Sequence, residues 1–219
     1  MKEASQNPDR ELFPPGDFDA WADHYDHSVL ESGSFPFYGY GQVLEIILNL
    51  SQARPGDSIL DLGTGTGNLA ALFSNLGCQV WGLDFSAQML VRARRKLPQA
   101  VFGLADLRVE WPLEFQRRFH EVVSGYTFHH FTLEEKVSLI RRLFAEYLLP
   151  GGRVIIGDVA FENASAQDQL HLSLGDEWED EFYWIADEML DALATAGLRS
   201  EFYKISACAG VFHISHSDI

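Results

Sequence analysis

The sequence predicts an α/β protein built on a doubly wound sheet of seven strands, mainly parallel, with an antiparallel C-terminal hairpin strand. Three observations predict it. Strand-like and helix-like segments alternate from Ser58 to Asp158, the rhythm of a parallel sheet covered by helices on both faces. A glycine-rich loop, Gly63-Thr64-Gly65-Thr66-Gly67, follows the first strand and opens a helix, which brings backbone N–H groups and a helix N-terminus towards a ligand. Near the C-terminus two strand-like segments are joined only by Ala207 to Gly210, too short a link for a crossover, so they pair as a hairpin.

Taken in order, residues 1–16 are polar, end in Pro14-Pro15-Gly16 and are expected to form a flexible arm. Residues 17–219 then form one domain, with an N-terminal helical cover over 17–53 and a small lid insert over 160–183. In the cover, Phe18, Trp21, Ala22 and Tyr25 recur at helical spacing within Asp17 to Leu30. An aromatic, glycine-containing link, Ser34 to Gly41, leads to an apolar helix from Gln42 to Ala53, which Pro55-Gly56 stops. Strands follow at Ser58–Leu62, Gln79–Asp84, Ala100–Leu104, Phe119–Ser124 and Arg153–Asp158. Helices between them are expected at Asn68–Leu76, Ser86–Lys96 and Leu133–Leu148, with a turn at Pro150-Gly151-Gly152. The polar, acidic stretch Phe161–Phe182 interrupts this rhythm. A helix then runs from Trp184 to Ala196 with Gly197 as its stop, and Leu198–Ser206 and Val211–His216 form the hairpin.

The formal net charge of −16 argues against a nucleic-acid backbone as partner, since that contact needs clustered Lys and Arg. The one short basic run, Arg92-Ala93-Arg94-Arg95-Lys96, falls where a helix end would put it against the helix dipole. Cys78 and Cys208 match no metal or redox spacing and are expected as buried free thiols in a reducing compartment. No metal site is expected. The N-terminus shows no signal-peptide core and no stretch of about 18 apolar residues occurs, so a cytoplasmic protein without membrane contact is expected. A homodimer is allowed for.

The first strand ends Leu60-Asp61-Leu62 before the glycine loop, and the second ends Leu83-Asp84-Phe85-Ser86. Asp84 lies seventeen residues after Gly67, where its two carboxylate oxygens can accept both hydroxyls of a ribose. Ser86 can also cap the next helix. Asp106 follows the third strand, and Ser124-Gly125-Tyr126-Thr127-Phe128-His129-His130 follows the fourth. All four positions are strand C-termini, where open α/β sheets bind ligands. The loop also contains Gly65-Thr66-Gly67-Asn68-Leu69-Ala70, which matches the dinucleotide pattern, so NAD-dependent oxidoreduction stays open at this stage.

From about Asp17 onward the chain resembles the class I S-adenosylmethionine-dependent methyltransferases, whose sheet is Rossmann-like. The resemblance is to small bacterial members with a Phe-His-His element and an N-terminal helix reading Trp-Ala-x-x-Tyr-Asp, here Trp21 to Asp26. It implies S-adenosylmethionine as cofactor, S-adenosylhomocysteine as product, and methyl transfer to a small-molecule acceptor. By the same resemblance Gly63, Thr64, Gly65 and Gly67 pass beneath the methionine part of the cofactor. Asp61 helps hold its α-ammonium, Asp84 the ribose, and Asp106 with Leu107 the adenine. Tyr25, Tyr40, Phe85, Ser86, Ala105, Ser124 and Tyr126 complete the implied cofactor contacts, with Tyr38 an alternative to Tyr40. Relatives often carry Asp where this chain has His120, a departure that bears on structure rather than chemistry. A cofactor-binding regulatory protein without catalysis shares the same motifs, because a fold does not establish an activity.

Displacement at a sulfonium releases a neutral thioether, so the residues needed are those that align the acceptor and, for some acceptors, remove a proton. His129 and His130 are the candidates for that base. Phe128, Asp158, Trp178 and Tyr183 are expected at the acceptor, the last two within an acidic and aromatic run from Glu177 to Trp184 that suits an amine or other cation. No Asn-Pro-Pro-Tyr element or Pro-Cys nucleophile is present, so nucleic-acid base methylation is not expected.

Overall fold

The computed structural model describes Asp26, Val29 and residues 34–216. Helix α1 (Tyr40–Ser51) is followed by β1 (Ser58–Leu62), α2 (Asn68–Asn75), β2 (Gln79–Asp84), α3 (Ala87–Lys96) and β3 (Val101–Leu104). After β4 (Phe119–Gly125) come α4 (Leu133–Arg142), β5 (Leu148–Phe161), α5 (Ala164–Leu174), a two-residue β6 (Trp184–Ile185), α6 (Ala186–Thr195), β7 (Leu198–Lys204) and β8 (Ala209–His216).

The sheet runs in the order 3-2-1-4-5-8-7, with β6 pairing off the far end of β5. β1 to β5 are mutually parallel, whereas β8 runs antiparallel to both β5 and β7. The expected doubly wound sheet with a hairpin end is therefore what forms, and the last strand inserts between β5 and β7. Strand order reverses between β1 and β4, which opens a crevice at their C-terminal ends.

Every residue of β1 is buried, as a strand covered on both faces requires. Successive side chains serve opposite faces. Leu60 and Leu62 join a core with Trp81, Phe119 and Phe212, while Ile59 joins Val43, Ile47, Phe73 and Val123 on the other side. Gly157 lets α1 lie directly on β5, since a Cβ there would come within 2.3 Å of Val43 Cγ1. Ser86 caps α3 by accepting from Met89 N, and Arg94, Arg95 and Lys96 fill its last turn, the placement expected of the basic run. Thr132 and Glu135 form a reciprocal capping box on α4.

Four segments differ from expectation. Trp184 and Ile185, expected to open a helix, form β6 instead, an eighth strand beyond the seven expected, and the helix starts at Ala186. α4 ends at Arg142, and a wider turn over Leu143–Tyr147 replaces its last turn. Pro150-Gly151-Gly152 lies inside β5, because the pairing with β4 slips there: Phe119 sits opposite Leu148, but Glu121 opposite Arg153. The insert after β5 contains α5, none of whose residues is buried, so no apolar stripe announced it. Both cysteines are free and buried. No described helix is long and apolar enough to cross a membrane.

Candidate active site

The glycine loop is pinned between β1 and β2. Thr64 N donates to Leu83 O (2.9 Å) and Gly67 N to Thr64 O (2.8 Å). Gly63 has φ +66°, and a Cβ on it would lie 2.0 Å from Thr127 Oγ1, so the loop passes against the turn after β4 only because the side chain is absent. Asp84 accepts from Gly65 N through one oxygen and from Ser86 N through the other, both at 2.8 Å. One carboxylate thus fixes the glycine loop and the start of α3 together.

Asp61 is almost wholly buried. Its Oδ2 accepts from Thr64 Oγ1 at 2.7 Å, while Oδ1 has no hydrogen-bond partner. Burial, reinforced by the charge of Asp84 and opposed by the Thr64 hydroxyl and the Ala70 amide, pushes its pKa up to about 7. A buried carboxyl of this kind is incomplete, and a cation at Oδ1 would complete it.

A second group sits after β4. Ser124 Oγ donates to Leu62 O, tying β4 to β1. Tyr126 takes φ +53°, rare for a non-glycine residue, and its hydroxyl is buried without a hydrogen-bond partner. Phe128, His129 and His130 form a single 3-10 turn. His129 Nδ1 lies 2.5 Å from Asp158 Oδ1, and Asp158 also accepts from His129 N (3.0 Å) and Trp184 Nε1 (3.2 Å). Burial disfavours the His129 imidazolium, but the Asp158 charge and hydrogen bond, with Glu181, outweigh it and hold the pKa above its ordinary value. His130 is driven the other way, to about 3, by burial and by His129. Glu181 approaches His129 Nε2 at 3.7 Å and His130 Nδ1 at 4.0 Å, and burial raises its carboxyl.

Part of this set faces one cavity of about 560 Å³, within the range of small-molecule sites. Of the sequence candidates, Gly63, Asp84, Phe85, Tyr126, His129, His130 and Tyr183 line it. Asp61, in β1, and Thr64, Gly65 and Gly67, in the loop that follows it, do not line the cavity. Ser86 and Ser124 are buried hydrogen-bonding groups of the frame. Tyr40 packs its ring on Tyr126, with centroids 5.2 Å apart, and Tyr38 is half exposed. Tyr25 lies outside the described residues. His120 accepts from Ser58 N at 3.0 Å and joins β4 to β1 at the opposite ends of those strands, a structural role.

Several candidates lie off the cavity wall. Asp158 is fully buried, accepts from His129, Val159 and Trp184, and is not part of the lining. Phe128 is also fully buried, packed between Phe131 and Trp184. Trp178 stacks on Phe35 and His171 and supports the wall from outside. Both Asp106 oxygens are taken by Arg108, Ala105 N bonds Asp84 O, and Leu107 belongs to the core. These three do not line the cavity.

The cavity also uses Phe35, Phe37, Met89, Thr127 and Val159, which sequence reasoning did not single out. Met89 had a readable signal, one turn into the helix that follows Phe85. Glu177, Glu179 and Glu181 line the wall too, and their acidic and aromatic run was visible.

Comparison with known proteins bears on this arrangement. A family profile described as "Methyltransferase domain" matches residues 59–152. A protein of Oceanobacillus iheyensis described as an uncharacterized methyltransferase is 32% identical over 200 residues, covering 86% of this chain and 91% of the relative. Among solved structures, the DhpI-SAM-HEP complex superposes with a TM-score of 0.71 at 19% identity, covering 98% of this chain and 100% of that one. The magnesium protoporphyrin IX methyltransferase of Synechocystis PCC 6803, with bound SAH, gives 0.71 at 18% identity over 93% and 98%. At such identities the structural likeness concerns the fold.

Proposed function

This chain belongs to the methyltransferase-domain family, and from that membership we propose that it binds S-adenosylmethionine in this cavity and methylates a small-molecule acceptor. The observation that carries the site assignment is the unpartnered, buried Oδ1 of Asp61 beneath a loop whose Gly63 position admits no side chain. Such a carboxyl fits an α-ammonium, and the glycine cradle fits the chain that bears it.

Bound there, the cofactor supplies an electrophilic methyl group on sulfur, whose departing thioether is neutral. Asp61 pairs with the ammonium. Asp84 keeps the glycine loop and α3 in place through two N–H groups, and its carboxylate at the cavity wall is assigned to the ribose hydroxyls. Phe85 and Met89 offer an apolar surface to the nucleoside. Phe35, Phe37 and Tyr126 exclude water from the reacting atoms. His129, His130 and Glu181 form the polar wall that receives the acceptor's nucleophilic atom and its proton, with the His129 ring oriented by Asp158. Tyr25 is proposed as a further cofactor contact. The strongly acidic chain suits a small acceptor better than a nucleic acid.

The test is a panel of small hydroxyl, thiol, amine and carboxylate acceptors, read by release of S-adenosylhomocysteine. Turnover with one chemical class, and a raised KM for S-adenosylmethionine in Asp61→Asn, supports the proposal. An unchanged KM for S-adenosylmethionine in that variant contradicts the assigned cofactor position.

A further inference from the structure

We propose that His129, His130 and Glu181 bind one divalent first-row transition-metal ion on the wall of the cavity. One ligand atom from each lies within 4.8 Å of the others. The closest approaches to Glu181 are 3.7 Å from His129 Nε2 and 4.0 Å from His130 Nδ1. Ligand atoms of a tetrahedral ion bonded at about 2.0–2.1 Å sit roughly 3.4 Å apart. Closure onto an ion therefore asks only small side-chain adjustments.

Two further features point to a built site. First, His129 presents its other nitrogen to Asp158 at 2.5 Å, and Asp158 is itself held by Val159 N and Trp184 Nε1. A carboxylate behind the imidazole fixes the tautomer and raises the basicity of the ligating nitrogen, the usual support of a metal-bound histidine. Second, the segment carrying Glu181 is tied to the turn carrying both histidines. Phe182 N donates to His129 O at 3.0 Å, and the buried Lys136 ammonium donates to Phe182 O. The three ligands are thus brought together by backbone contacts from elements far apart in sequence.

Two imidazoles and one carboxylate favour zinc, iron or cobalt over magnesium or calcium. Three protein ligands leave coordination positions open towards the cavity, the pattern of a reactive rather than a structural site. The use of the ion rests on the methyl-transfer reading, although its binding does not. An acceptor hydroxyl or thiol bound to the ion would lose its proton to solvent more readily. Its lone pair then forms the bond to the methyl carbon as the carbon–sulfur electron pair leaves on sulfur. The acceptor class is accordingly an oxygen or sulfur nucleophile.

The experiment is titration of chelator-treated full-length protein with Co²⁺ and Zn²⁺, followed by cobalt visible absorption and calorimetry. Mg²⁺ serves as comparison, and circular dichroism verifies the fold of each variant. The expected result is one tight Co²⁺ or Zn²⁺ per chain, no comparable Mg²⁺ binding, and at least tenfold weaker binding in His130→Ala and in Glu181→Gln. Asp158→Asn, which removes support but no ligand, should weaken it by about 10- to 100-fold. Absence of stoichiometric binding, or equal binding in folded His130→Ala and Glu181→Gln proteins, overturns the proposal and leaves His129 to act directly as the base. S-adenosylhomocysteine binding to the wild type is measured separately, so failure of the methyl-transfer reading is distinguished from failure of the metal site.

Discussion

Replacing Asp61 by Asn should move stability and cofactor affinity in opposite directions. The carboxyl is buried, one oxygen is satisfied by Thr64 and the other by nothing, and its pKa stands at about 7 against a usual value of 3.8. A carboxyl whose folded pKa is raised costs nothing below about pH 4, where it is neutral in both states. The cost grows as pH rises through this window and is complete above about pH 7. An amide keeps the acceptor for Thr64 and carries no charge. The amide NH2 stays unpaired where Oδ1 was, but the buried charge is gone, so Asp61→Asn should raise stability at pH 8 and change it far less at pH 4. The same change removes the charge meant for an ammonium. A hydrogen bond to a charged group contributes about 1.5–3 kcal/mol, so S-adenosylmethionine should bind about 10- to 150-fold more weakly. In the wild type, binding below pH 7 ionises Asp61 and releases a proton. Affinity should then rise with pH by up to about tenfold per unit until about pH 7 and flatten above it. Calorimetry in buffers of different ionisation enthalpy reads both the affinity and the proton. Unchanged affinity in the Asn protein, or a wild-type affinity without this pH dependence, would refute the reasoning.

Other positions give separate checks. Asp158→Asn removes the charge facing His129 in a fully buried site and should cost about 3 kcal/mol in urea unfolding; an unchanged midpoint contradicts the orienting role. Gly63→Ala places a methyl against Thr127 at positive φ and should abolish cofactor binding, with the double variant Gly63→Ala, Thr127→Gly recovering part of it if contact is the cause. Asp26 accepts from Thr66, Asn68 and the partly exposed Lys96, so Asp26→Ala should cost at most about 1 kcal/mol globally. The same variant should speed amide exchange at residues 65–68, and exchange equal to wild type would show that this contact does not hold the loop.

The sheet was legible because its signals are local. The runs Ser58–Leu62 and Gln79–Asp84 are short, apolar and bounded by turn residues, and both appear with those bounds. α5 was not legible, since a helix with no buried residue carries no stripe. The extension of β5 through Pro150-Gly151-Gly152 depends on a register slip against β4, which only the paired strand reveals. For the site, strand-end positions such as Asp84 and Tyr126 could be placed because fold position dictates them. The burial of Asp158 and Phe128 could not, because a residue at a strand end faces the crevice or the core according to tertiary packing. The pairing of Glu181 with the two histidines also escaped sequence reasoning, since it joins segments some fifty residues apart.

The central claim is that the cavity at the switch between β1 and β4 is a site for S-adenosylmethionine. Its most direct test is calorimetric titration of the wild-type chain with S-adenosylmethionine, S-adenosylhomocysteine and NAD at pH 8. The account predicts one site per chain for each of the first two, mutually competitive, and no saturable binding of NAD. Saturable NAD binding with no heat from either S-adenosyl compound would contradict it.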